Sequence, residues 1–297
     1  MQTTQTTQTV QTSAPNPFDP EKYKRTTLAQ WQDAADAWDR FGPVLRAWLG
    51  PATLQLLDLA GVSQGQRVLD VAAGAGDQTL QIAERVGPGG HVLATDLSPA
   101  ILERAAANAR AEGRSNVETR AMDGENLELP NDSFDAVVSR VGLIYFPDQL
   151  KALQGMRRVL VKGGRVAAIV YSSADKNGFF SIPVSIIRRR AALGPPLPGQ
   201  PGPFSLGSPE TITRLFEAAG FQQVKVSVVA APLCLPSADA CLQFERESFG
   251  ALHQMLSGLD DAAREQAWQE ILSALRQFET PNGFRAPCEL ILAVGTK

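Results

Sequence analysis

A chain of 297 residues is long enough for one large α/β domain with an elaborated cap. Hydrophobic residues are 44% and charged ones 20%, and the net charge of -3 provides no basic field to attract nucleic acid. Three scattered cysteines, Cys234, Cys241 and Cys288, form neither a disulfide framework nor a metal-ligand pattern. No apolar run approaches the ~18 residues of a membrane span, and the amino terminus lacks a signal-peptide core. A soluble, cytoplasmic protein is expected.

Residues 1–17 repeat Gln-Thr and then turn to Ser-Ala-Pro-Asn-Pro, a composition that predicts a disordered tail. Residues 18–62 read as an N-terminal helical cap. Leu28, Trp31, Ala35 and Trp38 recur at steps of three and four, one apolar stripe on a helix. Gly42-Pro43 interrupts it, and Val44 to Leu59 continues as helix with a second break expected at Gly50-Pro51. Trp31 and Trp38 can pack this helix down or touch a ligand; the pattern leaves both open.

From Arg67 onward strands and helices alternate. Strands are predicted near 67–71, 91–95, 116–121, 134–139, 165–171, 223–230 and 288–295, and helices over 77–86, 99–112, 148–159 and 209–219. Ser98-Pro99 supplies a capping oxygen and a preset φ for a helix start, and Gly113 and Gly220 suit helix ends. The early strands are unbroken apolar runs, as where helices cover both sheet faces, so the fold class is doubly wound, Rossmann-like α/β. Its core comprises 63–176 and 208–231, closed by a final strand within 282–297. Two insertions interrupt it. A Pro-rich segment over 177–207 and a helical cap over 232–281, with helices near 237–256 and 260–278, can act as lids or substrate walls, or as packing elements or a dimer surface. Arg188-Arg189-Arg190 reads as a solvated helix face.

The chemistry concentrates in Val68-Leu69-Asp70-Val71-Ala72-Ala73-Gly74-Ala75-Gly76-Asp77, a buried strand ending in an acid, then a turn of small residues opening a helix. A second strand ends in Asp96. A dinucleotide fingerprint would want a third glycine where Thr79 stands. An acid before the turn suits instead a ligand with a cationic amino-acid end, S-adenosylmethionine. Ala72, Ala73, Gly74 and Gly76 let the backbone approach it closely. The N–H groups opening the 77–86 helix, with Gln78, can receive its carboxylate, and Asp70 can favour its ammonium group through water or a backbone contact. Asp96, beside Leu97, can accept two ribose hydroxyls. Met122, Asp123 and Gly124 suit the adenine, with an acid for its amino group and a polarisable surface beside its ring. Arg140 can contact the cofactor, anchor an anionic acceptor or pair with an acid. Trp38, Tyr145, Phe146 and Phe180 are candidate acceptor contacts. No general base stands out: Tyr145 and His253 are candidates, and His91 sits at the far end of its strand. No metal is expected.

The segments VLDVAAGAGD, ATDLSPAIL, AMDGENLELPNDSFDAVVSR and MRRVLVKGGRVAAIVYSS resemble class I S-adenosylmethionine-dependent methyltransferases, in particular the ubiquinone and menaquinone C-methyltransferase group of small-molecule enzymes. The resemblance runs from about Arg67 through Tyr171. It implies a seven-stranded sheet whose last strand is antiparallel between the fifth and sixth. It also implies that Asp70, Gly74 and Gly76 hold the methionine moiety, Asp96 the ribose, and the acid at 123 the adenine. Ala72 departs from it, since many members carry glycine there. The implied reaction moves a methyl group to a small, mostly apolar acceptor such as a quinone, phenol or natural product, leaving S-adenosylhomocysteine. Proximity and desolvation would drive that in-line displacement. A cofactor-binding scaffold, or a non-methylating enzyme on the same fold, is the alternative. The expected partner is a small-molecule acceptor rather than nucleic acid, and the expected state a monomer or homodimer.

Overall fold

The computed structural model describes residues 18–297 apart from residue 198; the tail expected over 1–17 lies outside the described residues. Helices α1 (Pro20–Asp33), α2 (Ala35–Arg40) and α3 (Gly42–Ala60) come first. The alternating core follows as β1 (Arg67–Val71), α4 (Asp77–Val86), β2 (His91–Asp96), α5 (Pro99–Ala111), β3 (Val117–Ala121), β4 (Phe134–Arg140), α6 (Gln149–Val159) and β5 (Leu160–Tyr171). After α7 (Gly178–Arg190) come α8 (Pro209–Ala218) and β6 (Gln222–Ala230). The second insertion holds β7 (Leu233–Leu235), α9 (Ala238–Ser248), α10 (Gly250–Leu256), α11 (Asp261–Leu275), β8 (Glu279–Thr280) and β9 (Gly283–Ala286), before β10 (Glu289–Thr296).

The main sheet has seven strands in the order β3-β2-β1-β4-β5-β10-β6, parallel except for β10, which runs antiparallel between β5 and β6. That is the expected doubly wound sheet with its reversed last strand. The order changes direction between β1 and β4, so the crevice for a ligand lies at the carboxyl ends of those strands. Asp70 pairs across to Val138 and Val71 to Thr95, which brings the ends of β1, β2 and β4 to one edge. No helix among the described residues is long and apolar enough to cross a membrane.

Several elements depart from expectation. Helix α3 runs through Gly50-Pro51 without the predicted break. Its buried face, including Leu45, Trp48, Leu49, Ala52 and Leu56, is long enough to hold it against the sheet despite the backbone hydrogen bond that Pro51 cannot donate. The stripe from Leu28 to Trp38 spans two helices, because the chain turns at Ala34. The 177–207 insertion opens with a full helix, α7, that carries Pro183 inside it. The stretch near 237–256 divides at Phe249 into α9 and α10. The short strands β7, β9 and β8 form a second sheet that no periodicity announced. Trp48 ties the cap to the core: it is buried, and its indole N–H donates to the Ala231 carbonyl at 2.7 Å.

Two loops shape the crevice, and their backbones constrain one another. Ala72 holds φ +58°, in the left-handed region that favours glycine, which accounts for the glycine many similar proteins carry there. Gly142 lies opposite, and a Cβ on it would sit 2.4 Å from the Ala72 Cβ and 3.1 Å from the Ser139 Oγ. An alanine at 72 is therefore tolerated only beside a glycine at 142. Gly142→Ala should cost ~1–3 kcal/mol by overpacking, and Ala72→Gly should relieve most of that cost. Urea unfolding of both single variants and the double variant measures the coupling. An interaction energy near zero would contradict the contact.

Candidate active site

One cavity occupies the crevice, about 1070 Å³ of space that includes its opening to solvent. Its floor is the two loops just described: Ala72, Ala73, Gly74 and Gln78 after β1, and Arg140, Val141 and Gly142 after β4. Asp96, Leu97, Met122, Asp123 and Gly124 form one end. Phe146 packs on Gly124, and Trp31, Trp38, Leu49, Tyr145, Tyr171 and Phe249 complete the lining with aromatic and apolar groups. Val141 has φ +61°, rare for a β-branched residue, and so stores backbone strain at the cavity wall.

Asp96 is fixed before any ligand arrives. One carboxylate oxygen accepts the Gly74 N–H at 3.1 Å and the other the Ser98 N–H at 3.0 Å, while burial raises its pKa above the usual carboxylate value. Each oxygen has further acceptor capacity on its cavity side. Asp123 accepts the Glu125 N–H at 2.9 Å and the ammonium of Lys24 at 2.8 Å, and Lys24 also pairs with Glu125 at 2.6 Å. Lys24 therefore pins α1, a helix with no buried residue, across this end of the cavity. The Phe146 ring packs on Gly124, where a Cβ would stand 2.5 Å from its Cζ.

Asp70 does not reach the cavity. It is fully buried, and its two oxygens accept from the Gln78 side-chain amide and, at 2.7 Å, from the Thr79 hydroxyl. Its carboxylate thus bonds β1 to the first turn of α4, and the link to a ligand ammonium group expected through water or a backbone contact would have to run through that turn. Gly76 also lies off the lining; its φ of +89° caps α4, and a Cβ on it would meet Ala105 at 2.9 Å. The start of α4 has no side-chain cap, and Gln78 Oε1 and Asp77 Oδ2 are buried without partners. Donors and acceptors for a zwitterionic group are thus in place at this corner.

Arg140 pairs with Asp77, and its other nitrogen donates to Thr53 Oγ1 at 3.0 Å, so both the cavity contact and the ion pair foreseen for it occur together. Of the candidate acceptor contacts, Trp38, Tyr145 and Phe146 line the cavity. Phe180 stands one layer behind, packed on Phe249 at 4.8 Å between ring centres. His253 is exposed on α10, its ring nitrogen 2.6 Å from the Arg246 carbonyl oxygen, and lies in a separate polar groove. That removes it as a candidate base. His91 sits at the far end of β2, 3.5 Å from Glu118. Trp31, left open between packing and ligand contact, lines the cavity, and Lys24, Tyr171 and Phe249 join it without having been chosen from the sequence. Tyr171 alone had a usable signal, as the last residue of the strand next to β4.

Residues 49–183 match the model of the ubiE/COQ5 methyltransferase family. The aklanonic acid methyltransferase DauC of Streptomyces sp. strain C5 is 32% identical over 145 residues, 49% of this chain and 64% of that protein. The ubiquinone/menaquinone biosynthesis C-methyltransferase UbiE of Idiomarina loihiensis is 38% identical over 117 residues, 39% of this chain and 47% of that one. The chain thus spans less than two thirds of the length of these relatives. The crystal structure of the YcgJ protein of Bacillus subtilis superposes with a TM-score of 0.56 at 21% identity, covering 84% of this chain and 98% of the other, and shares the fold. The resemblance read from the motifs is borne out, and residues 49–183 carry the sequence of a methyltransferase family.

Burial raises the pKa of Asp70 from 3.8 to about 6, against the opposing hydrogen bonds from Thr79 and Gln78. Below pH 3.8 the group is protonated both folded and unfolded and costs nothing. Between pH 3.8 and about 6 the unfolded chain ionises while the folded protein still holds the proton, so stability falls by about 3 kcal/mol over that window and is level above it. Denaturant unfolding of the protein and of Asp70→Asn at pH 4 and pH 7 checks this. The variant should gain about that amount relative to the parent between the two pH values, and a constant difference would contradict it.

Proposed function

We propose that this chain moves the methyl group of S-adenosylmethionine to a small, mostly apolar acceptor of the quinone, phenol or natural-product kind, leaving S-adenosylhomocysteine. The observation that carries this reading is one cavity lined by two chemically different sets of residues, one polar and one aromatic. The end at Asp96, Met122, Asp123 and Gly124 suits a nucleoside, with carboxylates for ribose hydroxyls and an adenine amino group. The α4 corner suits an amino-acid moiety, with uncapped N–H groups for the carboxylate and the unpartnered Gln78 Oε1 for the ammonium. The aromatic end suits the acceptor. Both curated relatives bear names of small-molecule methyltransferases.

When bound, the sulfonium cofactor supplies a methyl group already activated for displacement. The chain's own part is to align an acceptor atom with that methyl and to keep water out, and proximity of this kind supplies ~7–11 kcal/mol in well-aligned pairs. Trp31, Trp38 and Phe249 do the excluding, with α1 and the insertion around α9 and α10 acting as lids. In this reading the lining needs no acid–base pair, because a general base is required only where the acceptor must lose a proton during transfer. A cytoplasmic protein, monomeric or homodimeric, fits the same reading.

Incubation with methyl-labelled cofactor and a panel of quinones, phenols and amines should move label to at least one oxygen-bearing aromatic acceptor. Tight cofactor binding without transfer to any member would favour a scaffold or a non-methylating enzyme. Asp96→Asn, which keeps the shape but removes the charge, should weaken cofactor binding ~10–100-fold by calorimetry, the worth of one or two charge-assisted hydrogen bonds. Unchanged affinity would remove Asp96 from the site.

A further inference from the structure

The acceptor end of the cavity is aromatic and apolar apart from Arg140 and two phenol hydroxyls, those of Tyr145 and Tyr171. Tyr145 follows β4 and Tyr171 ends β5, so both rise from the carboxyl edge of the sheet beside the switch point. Their rings are held rigidly. Tyr145 packs edge-on against Trp31 at 5.8 Å, and Tyr171 lies between Trp48 at 6.4 Å and Phe179 at 5.8 Å. Neither hydroxyl has a hydrogen-bond partner among the described residues, whereas the buried indole N–H of neighbouring Trp48 has one. A phenol hydroxyl with no protein partner on the wall of a partly open cavity is free to meet a ligand or water. Two of them on one cavity wall mark where a polar atom of the ligand belongs.

We infer that Tyr145 and Tyr171 donate hydrogen bonds to an oxygen of the acceptor and select a phenol or enol that enters as its anion. This rests on the methyl-transfer reading above and adds to it the ionisation state of the acceptor and the groups that receive it. Burial raises the pKa of both tyrosines, so they remain donors across the working range. The titratable groups that act on Tyr171 are Cys288, Tyr145 and Arg140, and Tyr145 is acted on by Tyr23. Burial holds Cys288 and Tyr23 neutral as well, and Arg140, the cation beside Tyr171, is itself paired with the Asp77 carboxylate. The carboxylates lining the cavity, Asp96 and Asp123, sit at the opposite end with partners of their own. An oxyanion at the tyrosines thus meets two donors beside the Arg140–Asp77 pair, and no base is needed because the proton has already gone to solvent.

The test uses 4-nitrophenol, whose anion absorbs visible light, titrated with pH in the presence of the protein and S-adenosylhomocysteine. The bound phenol should ionise about one pH unit lower than the free one, a tenfold preference for the anion. Tyr145→Phe and Tyr171→Phe should each reduce that displacement and the double variant abolish it. Phenylalanine keeps the ring packing, and thermal unfolding verifies that each variant is folded. No binding of 4-nitrophenol, an unchanged or raised midpoint in the parent protein, or a full displacement in the double variant would overturn the inference. Calorimetry with S-adenosylhomocysteine alone separates the two levels. Binding there with no displacement of the phenol sinks only this inference, while no binding there sinks the methyltransferase reading with it.

Discussion

A fully buried carboxylate off the cavity lining organises the site. Asp70, at the end of β1, turns both oxygens toward Gln78 and Thr79 in the first turn of α4. These bonds span the whole glycine turn, so the residues between them are held as an arch rather than a flexible loop. Burying a charge this way is costly, as the raised pKa records, and the two donors offset part of that cost. The arch presents the Gly74 amide to Asp96 and leaves the start of α4 uncapped beside Gln78. The acid of the first motif thus acts through the backbone that it holds.

The opposite wall comes from elements far away in sequence. The Trp38 indole nitrogen lies 3.1 Å from where a Cβ on Gly74 would be, so the cap rests directly on the arch. Trp31, Trp38, Tyr145, Phe249 and Phe180 continue from there as edge-on and tilted ring contacts between 4.8 and 5.8 Å. Such contacts give a stiff apolar wall, because aromatic side chains have few rotamers to lose. At the nucleoside end the closure is ionic instead. Lys24 holds α1 to Asp123 and Glu125 with its side chain 19% exposed, where charge pairing is worth more than on the open surface. The two ends of one cavity are therefore closed by different forces, which suits a site that takes a polar cofactor and an apolar acceptor.

The core of this fold was legible because its signals are local. Unbroken apolar runs gave the parallel strands, Ser98-Pro99 the start of α5, and the small-residue turn with Asp96 the ligand edge. What escaped depends on contacts between distant residues. Nothing around Lys24 announces that its ammonium group meets Asp123 and Glu125, about a hundred positions on. Asp70 was placed at the right point of the chain, but its bonds to Gln78 and Thr79 were not foreseen, since a motif gives position and not rotamer. Helix α3 persists through Pro51 because a long buried face outweighs one missing hydrogen bond. His253 and Phe180 were chosen by residue type, and packing put one on the outer surface and the other a layer behind the cavity.

The crystal structure of this protein with S-adenosylhomocysteine tests the account most directly. Density should show ribose hydroxyls on Asp96, the adenine between Met122 and Gly124, and the amino-acid end at the start of α4 against Gln78, with Asp70 still turned to Gln78 and Thr79. A ligand bound elsewhere, or bound with Asp70 swung out to contact it, would contradict the arch on which the site is built.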